Sequence, residues 1–266
     1  MYVDPRWVIV VLGSAAAFGS LSPLVYARRF SFFAASLPHS ALLSVTLGYV
    51  LSLSAGGHPA AWAVALSLPP SALLIYFLHS GVSVDSATSA FVSFSVAGSV
   101  AAMYYVLTNY PARVSLWSYI LGDPLLAGWD DALLVVAVAV PTCALAAYTY
   151  MEEMSIGLDA ESAAASGVRV RLHDYLLALL LTVVAVSLLK AVGFTIEHVV
   201  MLLPGAIAAR LARSARAFFA LSLASSLASG AAGLALSLMV NLAPAAAIGF
   251  VLLAIYVASL LAGGGR

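Results

Sequence analysis

The chain has 266 residues, 64% of them hydrophobic and 8% charged, and its eleven basic and eleven acidic side chains cancel to a net charge of zero. A soluble domain carries roughly 25% charged residues to cover itself toward water, so this composition excludes one, and the balanced charge excludes a nucleic-acid binder that works through a basic field. With a mean hydropathy of +1.08, the chain reads as an all-α, polytopic protein of the lipid bilayer. It forms a single domain over 1–266, with no linker and no clear internal repeat.

The first apolar run begins at Trp7. It follows Asp4 and Arg6 rather than a basic leader and lacks a small-residue cleavage site, so a retained helix is expected rather than a signal peptide. A membrane helix takes about 20 apolar residues. On that length the predicted spans are 7–26, 37–55, 60–79, 87–107, 131–150, 174–192, 195–209, 216–238 and 244–262. The count is eight or nine, because the seventh segment is short, carries Glu197 and His198, and reads as a broken or re-entrant helix. If every segment crosses, one side holds Arg28, Arg29, Arg169, Arg171, Arg210, Arg213, Arg216 and Arg266, and the other holds Arg6, Arg113 and Lys190. Basic loops stay in the cytoplasm, so the N-terminus is expected outside and the C-terminus inside.

Two connections are long. Residues 108–130 face outward in this scheme and include Pro111, Trp117, Gly122, Asp123 and Pro124; "SLWSYILGD" within them suggests a short surface helix. Residues 151–173, "MEEMSIGLDAESAAASGVRVRLH", face inward in the same scheme and carry six charged side chains. Their alanine-rich, charge-edged centre suggests a short amphipathic helix, the alternative being a solvated connector.

A charged residue at the centre of a span costs about 2.5–3.5 kcal/mol on insertion scales, so it is a functional candidate by default. Glu197 is the one acid read as lying well inside an apolar segment, with His198 beside it. On a regular helix these neighbours point about 100° apart, but Gly193 before them and Pro204–Gly205 after them allow distortion. His39 follows Pro38, which suits a first helical turn; its imidazole is either a local hydrogen-bonding group or a metal ligand. His79 and His173 fall at span ends, and His58 lies in a Gly-Gly-His-Pro turn. The lone Cys143 excludes an internal disulfide. HExxH, CxxC, GxSxG and paired intramembrane carboxylates are absent, so no enzyme is indicated, and without a glycine-rich phosphate loop no ATP is expected on this chain.

Several stretches in register resemble the permease subunits of ATP-binding-cassette importers for zinc, manganese and iron(II). They are "RRFSFFAASLPHSALLSVTLGYVLS", "VSVDSATSAFVSFSVAGSV", "LWSYILGDPLL", "GLDAESAAASGVRVRLHDYLL" and "SLLKAVGFTIEHVVMLLPGAIAARLARS". Their order and spacing hold from about Arg28 to the C-terminus. The resemblance implies a permease homodimer in the plasma membrane, served by a cytoplasmic ATP-binding subunit and an extracytoplasmic substrate-binding protein. It implies that the segment around 155–170, with Gly157, Asp159, Glu161, Gly167 and Val168, is the helix that meets the ATPase. It also marks Gly122 and Asp123 as the family's Gly-Asp in an outer loop.

One departure is informative. In the family's Asp-x-x-x-His pattern His39 matches the histidine, but the acid position falls on Ala35. Glu197 is expected to supply the missing carboxylate, so that His39, Glu197 and His198 hold the transported Zn, Mn or Fe(II), which carboxylate and imidazole both suit. Two alternatives stay open: the same fold importing a metal chelate or another small solute, and a secondary transporter driven by protons or sodium.

Overall fold

The computed structural model describes residues 3–110 and 122–263, which are helical apart from short joints. In chain order the helices are α1 (Pro5–Ala27), α2 (Ser31–Ala55), α3 (Pro59–His79), α4 (Val84–Asn109), α5 (Trp129–Leu158), α6 (Ala160–Ala165), α7 (Val170–Val192), α8 (Phe194–Leu211), α9 (Ala215–Val240) and α10 (Pro244–Gly263), with a 3-10 turn at Pro124–Leu126. Their starts follow ordinary capping chemistry. The Asp4 carboxylate accepts from the Arg6 amide ahead of Pro5, and the Arg6 side chain, also bonded to it, holds that carboxyl below its usual range. Asp159 and Ser214 cap α6 and α9 in the same way.

Eight of these helices are long and apolar enough to cross a membrane. The most enclosed is α1, which packs against α5, α8 and α9. Lipid gives no hydrophobic drive for one helix to prefer another, so close backbone approach between small residues and interhelical hydrogen bonds hold such bundles together. Here the Gly205 amide of α8 donates to Ser22 Oγ of α1 at 2.7 Å, and a Cβ at Gly205 would sit 2.5 Å from the Ser22 carbonyl oxygen. On the α9 side, Ser222 and Ser226 donate to the carbonyls of Gly19 and Ala15 at 2.8 and 2.7 Å.

Contacts at the helix ends fix the topology. Arg28 at the end of α1, His79 at the end of α3, Glu153 near the end of α5 and Asp174 near the start of α7 meet in one network. At the opposite end Lys190 of α7 binds Asp131 of α5, and both line a cavity with His58 and Pro59 of the α2–α3 joint. Helix α8 leaves Gly193 at that second end, and the chain after it returns to the first, where Tyr150 of α5 donates to the Ala215 carbonyl at 2.6 Å. The eighteen residues of α8 rise about 27 Å, close to the thickness of the hydrocarbon core. Segment seven is therefore one continuous helix rather than a broken one, beside the eight helices long and apolar enough to cross.

Three sequence readings change. The break expected inside segment seven sits just before it, at Gly193 (φ 84), the single residue between α7 and α8. Helix α2 starts at Ser31 rather than 37, so Pro38 is interior; lacking an N–H, it leaves the Ala34 carbonyl without its helical donor. Helix α5 runs on to Leu158 rather than ending at 150, because Met151–Leu158 continue the turn past the apolar run, and this takes Glu153 into the bundle. Glu197 is thus not the one buried acid. The outer helix expected at "SLWSYILGD" lies outside the described residues except for Gly122 and Asp123.

The topology is open to labelling. In a Cys143→Ser background, a cysteine replacing Glu161 is expected to react with an impermeant maleimide only from the cytoplasmic face, and one replacing His58 only from outside. The reverse pattern would overturn the orientation.

Candidate functional site

Helices α2 and α8 face each other, and at that face the structure brings two of the three expected ligands together. The rings of His39 and His198 lie 5.9 Å apart, centroid to centroid, at 75°. Phe194, one turn before His198, packs edge-on against both, at 4.9 Å from His39 and 5.7 Å from His198. The His198 Nδ1 lies 3.2 Å from the Phe194 carbonyl, a contact that, with Nδ1 as donor, leaves Nε2 as the lone-pair nitrogen. One turn along both helices, Ala35 and Leu202 line a shared cleft with Arg29. The position where the resembled family carries its acid therefore faces α8 here, occupied by a methyl group.

Glu197 points elsewhere. It is fully buried on the stripe of α8 that includes Met201 and Ala208, and neither carboxylate oxygen has a hydrogen-bond partner among the described residues. An unpartnered buried carboxylate is one of the costliest groups a fold can hold. No group of three or more His, Cys, Asp or Glu side chains stands ready to bind a metal among the described residues. The pair His39–His198 is assembled, and Glu197 sits one residue away, turned into the bundle.

The segment expected to face inward contains a short helix, α6, as the sequence suggested. Asp159 Oδ1 accepts from the Glu161 and Ser162 amides at 3.0 and 3.2 Å, and Glu161 itself is exposed. The Val168 amide closes back on the Ala163 carbonyl at 3.1 Å through Gly167, whose φ of 91° suits glycine alone. Gly157 serves a packing need: a Cβ there would lie 2.6 Å from the Ala27 carbonyl oxygen, so α5 and the end of α1 meet backbone to backbone. At the other end Gly122 (φ 64) sits against the α7–α8 joint, where a Cβ would come within 2.3 Å of the Gly193 nitrogen. Asp123 caps the following 3-10 turn, accepting from the Leu125 amide at 2.9 Å.

Sequence reasoning missed the ion network. Arg28 Nη1 donates to Glu153 Oε2 and Nη2 to Asp174 Oδ1. The remaining oxygens take His173 Nδ1 at 3.1 Å and His79 Nε2 at 2.8 Å. The signal available was the gathering of Arg28, Glu153, His173 and Asp174 on one predicted side of the membrane.

A profile described as the ABC 3 transport family matches residues 4–263. The chain belongs to the ABC 3 transport family. Over 231 residues, 86% of this chain and 80% of the relative, it is 26% identical to the manganese transport system membrane protein MntC of Listeria innocua. It is 25% identical to the high-affinity zinc uptake system membrane protein ZnuB of Haemophilus influenzae, covering 82% of this chain and 81% of that one. The structure of PsaBC from Streptococcus pneumoniae in complex with Fab superposes with a TM-score of 0.83 over 96% of this chain and 90% of the matched chain, at 20% identity, which shows the shared fold. Family membership and the apolar helices together make this a multi-pass protein of the plasma membrane.

The unpartnered carboxylate has a measurable consequence. Glu197→Met replaces it with an apolar side chain of similar size and is expected to raise stability by about 1–3 kcal/mol, read as a higher melting midpoint in detergent or nanodiscs. A lower midpoint would mean that Glu197 has a structural partner.

Proposed function

We propose that this chain is the membrane-spanning permease subunit of an ATP-driven importer of divalent metal ions (Zn, Mn or Fe(II)), and that His39, His198 and Glu197 form its transient cation site. The observation that carries the reading is the His39–His198 pair across the α2–α8 face, with an unpartnered carboxylate on the adjacent residue. Two imidazoles and a carboxylate suit borderline divalent cations. A turn of α8 at its glycine joint would bring Glu197 toward the pair when an ion arrives. The names of MntC and ZnuB support a metal as cargo.

ATP would be hydrolysed on a separate cytoplasmic subunit that docks against α6, whose residues are mostly exposed, beside Leu158 at 85% exposure. A substrate-binding protein would deliver the ion to the outer end, near Gly122 and Asp123. The permease would work as a homodimer. Helix α4 packs on α2 and α3 and leaves outward a face with Ser86, Ser89 and Ser93; hydroxyls gain little from lipid and suit a second protein surface. A second reading, import of a metal chelate, is favoured by one feature: the methyl of Ala35 where an acid would stand, opening on the cleft beside Arg29.

The test is transport in proteoliposomes holding the permease, its ATPase and its binding protein. His39→Ala and Glu197→Gln are each expected to lower uptake of the preferred metal by about tenfold or more, since even residues that merely support metal ligands are worth roughly 10–100-fold. Normal uptake by both variants would refute the site. Stimulation by chelates and not by free ions would favour the second reading.

A further inference from the structure

The ion network lies where it can connect the ATPase-facing segment to the helix that carries His39. Glu153 precedes α6 and Asp174 follows it, so the two carboxylates bracket that segment, and both close on the same guanidinium, that of Arg28. All four carboxylate oxygens are occupied, two by Arg28 and one each by His173 and His79. The side chains of Arg28 and Glu153 are 5% and 1% exposed, which makes the linkage stiff: removing one partner strands the others without water.

Arg28 is also the corner of the chain between α1 and α2. The next residue, Arg29, adopts a left-handed conformation (φ 56), and α2 begins two residues later. The guanidinium carbon lies 5.4 Å from the centre of the Phe30 ring, and Phe30 in turn packs edge-on against Phe33 of α2 at 6.0 Å. On the other side of the corner, Gly157 touches the Ala27 carbonyl backbone to backbone. Both flanks of α6 therefore bear on the three-residue turn that starts α2, and His39 lies eight residues into that helix, about 12 Å of rise away.

We infer that Arg28 is a positioning residue for transport: clamped by Glu153 and Asp174, it hands displacement of the α6 segment to α2 and so to the α2–α8 face. The inference rests on the ATP-driven reading above. The clamp carries force without touching the ion. Its loss should therefore separate ATP hydrolysis from ion movement, whereas loss of an ion ligand should weaken the response to the ion itself.

The experiment measures ions imported per ATP hydrolysed, in proteoliposomes with the full complex and Zn2+ or Mn2+ as the probe. Arg28→Gln and Glu153→Gln are expected to lower that ratio by about tenfold, the scale of a typical coupling between sites, while the concentration of metal giving half-maximal uptake stays within about twofold, since the ligands are untouched. Arg28→Lys, which keeps the charge but not the two-pronged grip, is expected to fall between Arg28→Gln and the unaltered protein. An unchanged ratio in Arg28→Gln and Glu153→Gln would overturn the inference, as would a parallel loss of hydrolysis and transport. If Arg28→Gln does not assemble with the ATPase, the ratios for Arg28→Lys and His79→Gln decide by the same criterion. Absence of ATP-dependent uptake by the unaltered protein would instead sink the importer reading, so the two failures are distinguishable.

Discussion

Lipid supplies neither counter-ions nor water, so a charge placed at depth has to be answered by the protein itself. Most of this structure can be read as answers to that demand. At one end a single arginine satisfies two carboxylates, and two histidines take the oxygens it leaves. At the other end Lys190 grips both oxygens of Asp131. Between these ends hydroxyls of α1 and α9 donate hydrogen bonds to nearby carbonyls. Against this background Glu197 stands out. Its carboxylate is enclosed and has no hydrogen-bond partner among the described residues, next to an imidazole that faces a second imidazole across a helix interface. In the proposed site a bound cation would answer that carboxylate, and the energy so recovered would add to its affinity.

The position of that interface depends on close packing rather than on polar bonds alone. Helix α8 can approach α1 because Gly205 has no side chain to hold it off Ser22. It can follow α7 after one residue because Gly193 adopts a backbone angle that other residues avoid. Gly122 presses on that joint from the connection before α5, so this loop touches the start of the helix that carries His198. The α6 segment is tied to the start of α2 with similar closeness. The two helices that form the candidate site are therefore each anchored at opposite ends of the membrane.

Much of this was legible beforehand. The long apolar helices and the short helix α6 follow from apolar run length and a charged alanine-rich stretch, both local signals. The readings that changed depended on continuation or contact. Pro38 looked like a first-turn proline because that is its common place, but α2 had begun a full two turns earlier. The apolar run of α5 ends near Tyr150 while its helix does not, and Glu153 was placed in a loop for that reason. The approach of His39 to His198 is a contact between distant parts of the chain, which no periodicity reveals. The resemblance to metal-importer permeases pointed at His39, the unfilled acid position at Ala35 pointed to Glu197 with His198 beside it, and the geometry then separated Glu197 from the imidazole pair by one helical step.

The most direct measurement is anomalous scattering at the zinc or manganese edge from crystals of the assembled transporter equilibrated with the ion. A peak is expected between α2 and α8, with nitrogens of His39 and His198 at about 2.0–2.1 Å for zinc and the Glu197 carboxylate turned toward it. A metal peak elsewhere in the permease, with both imidazoles unliganded, would contradict it.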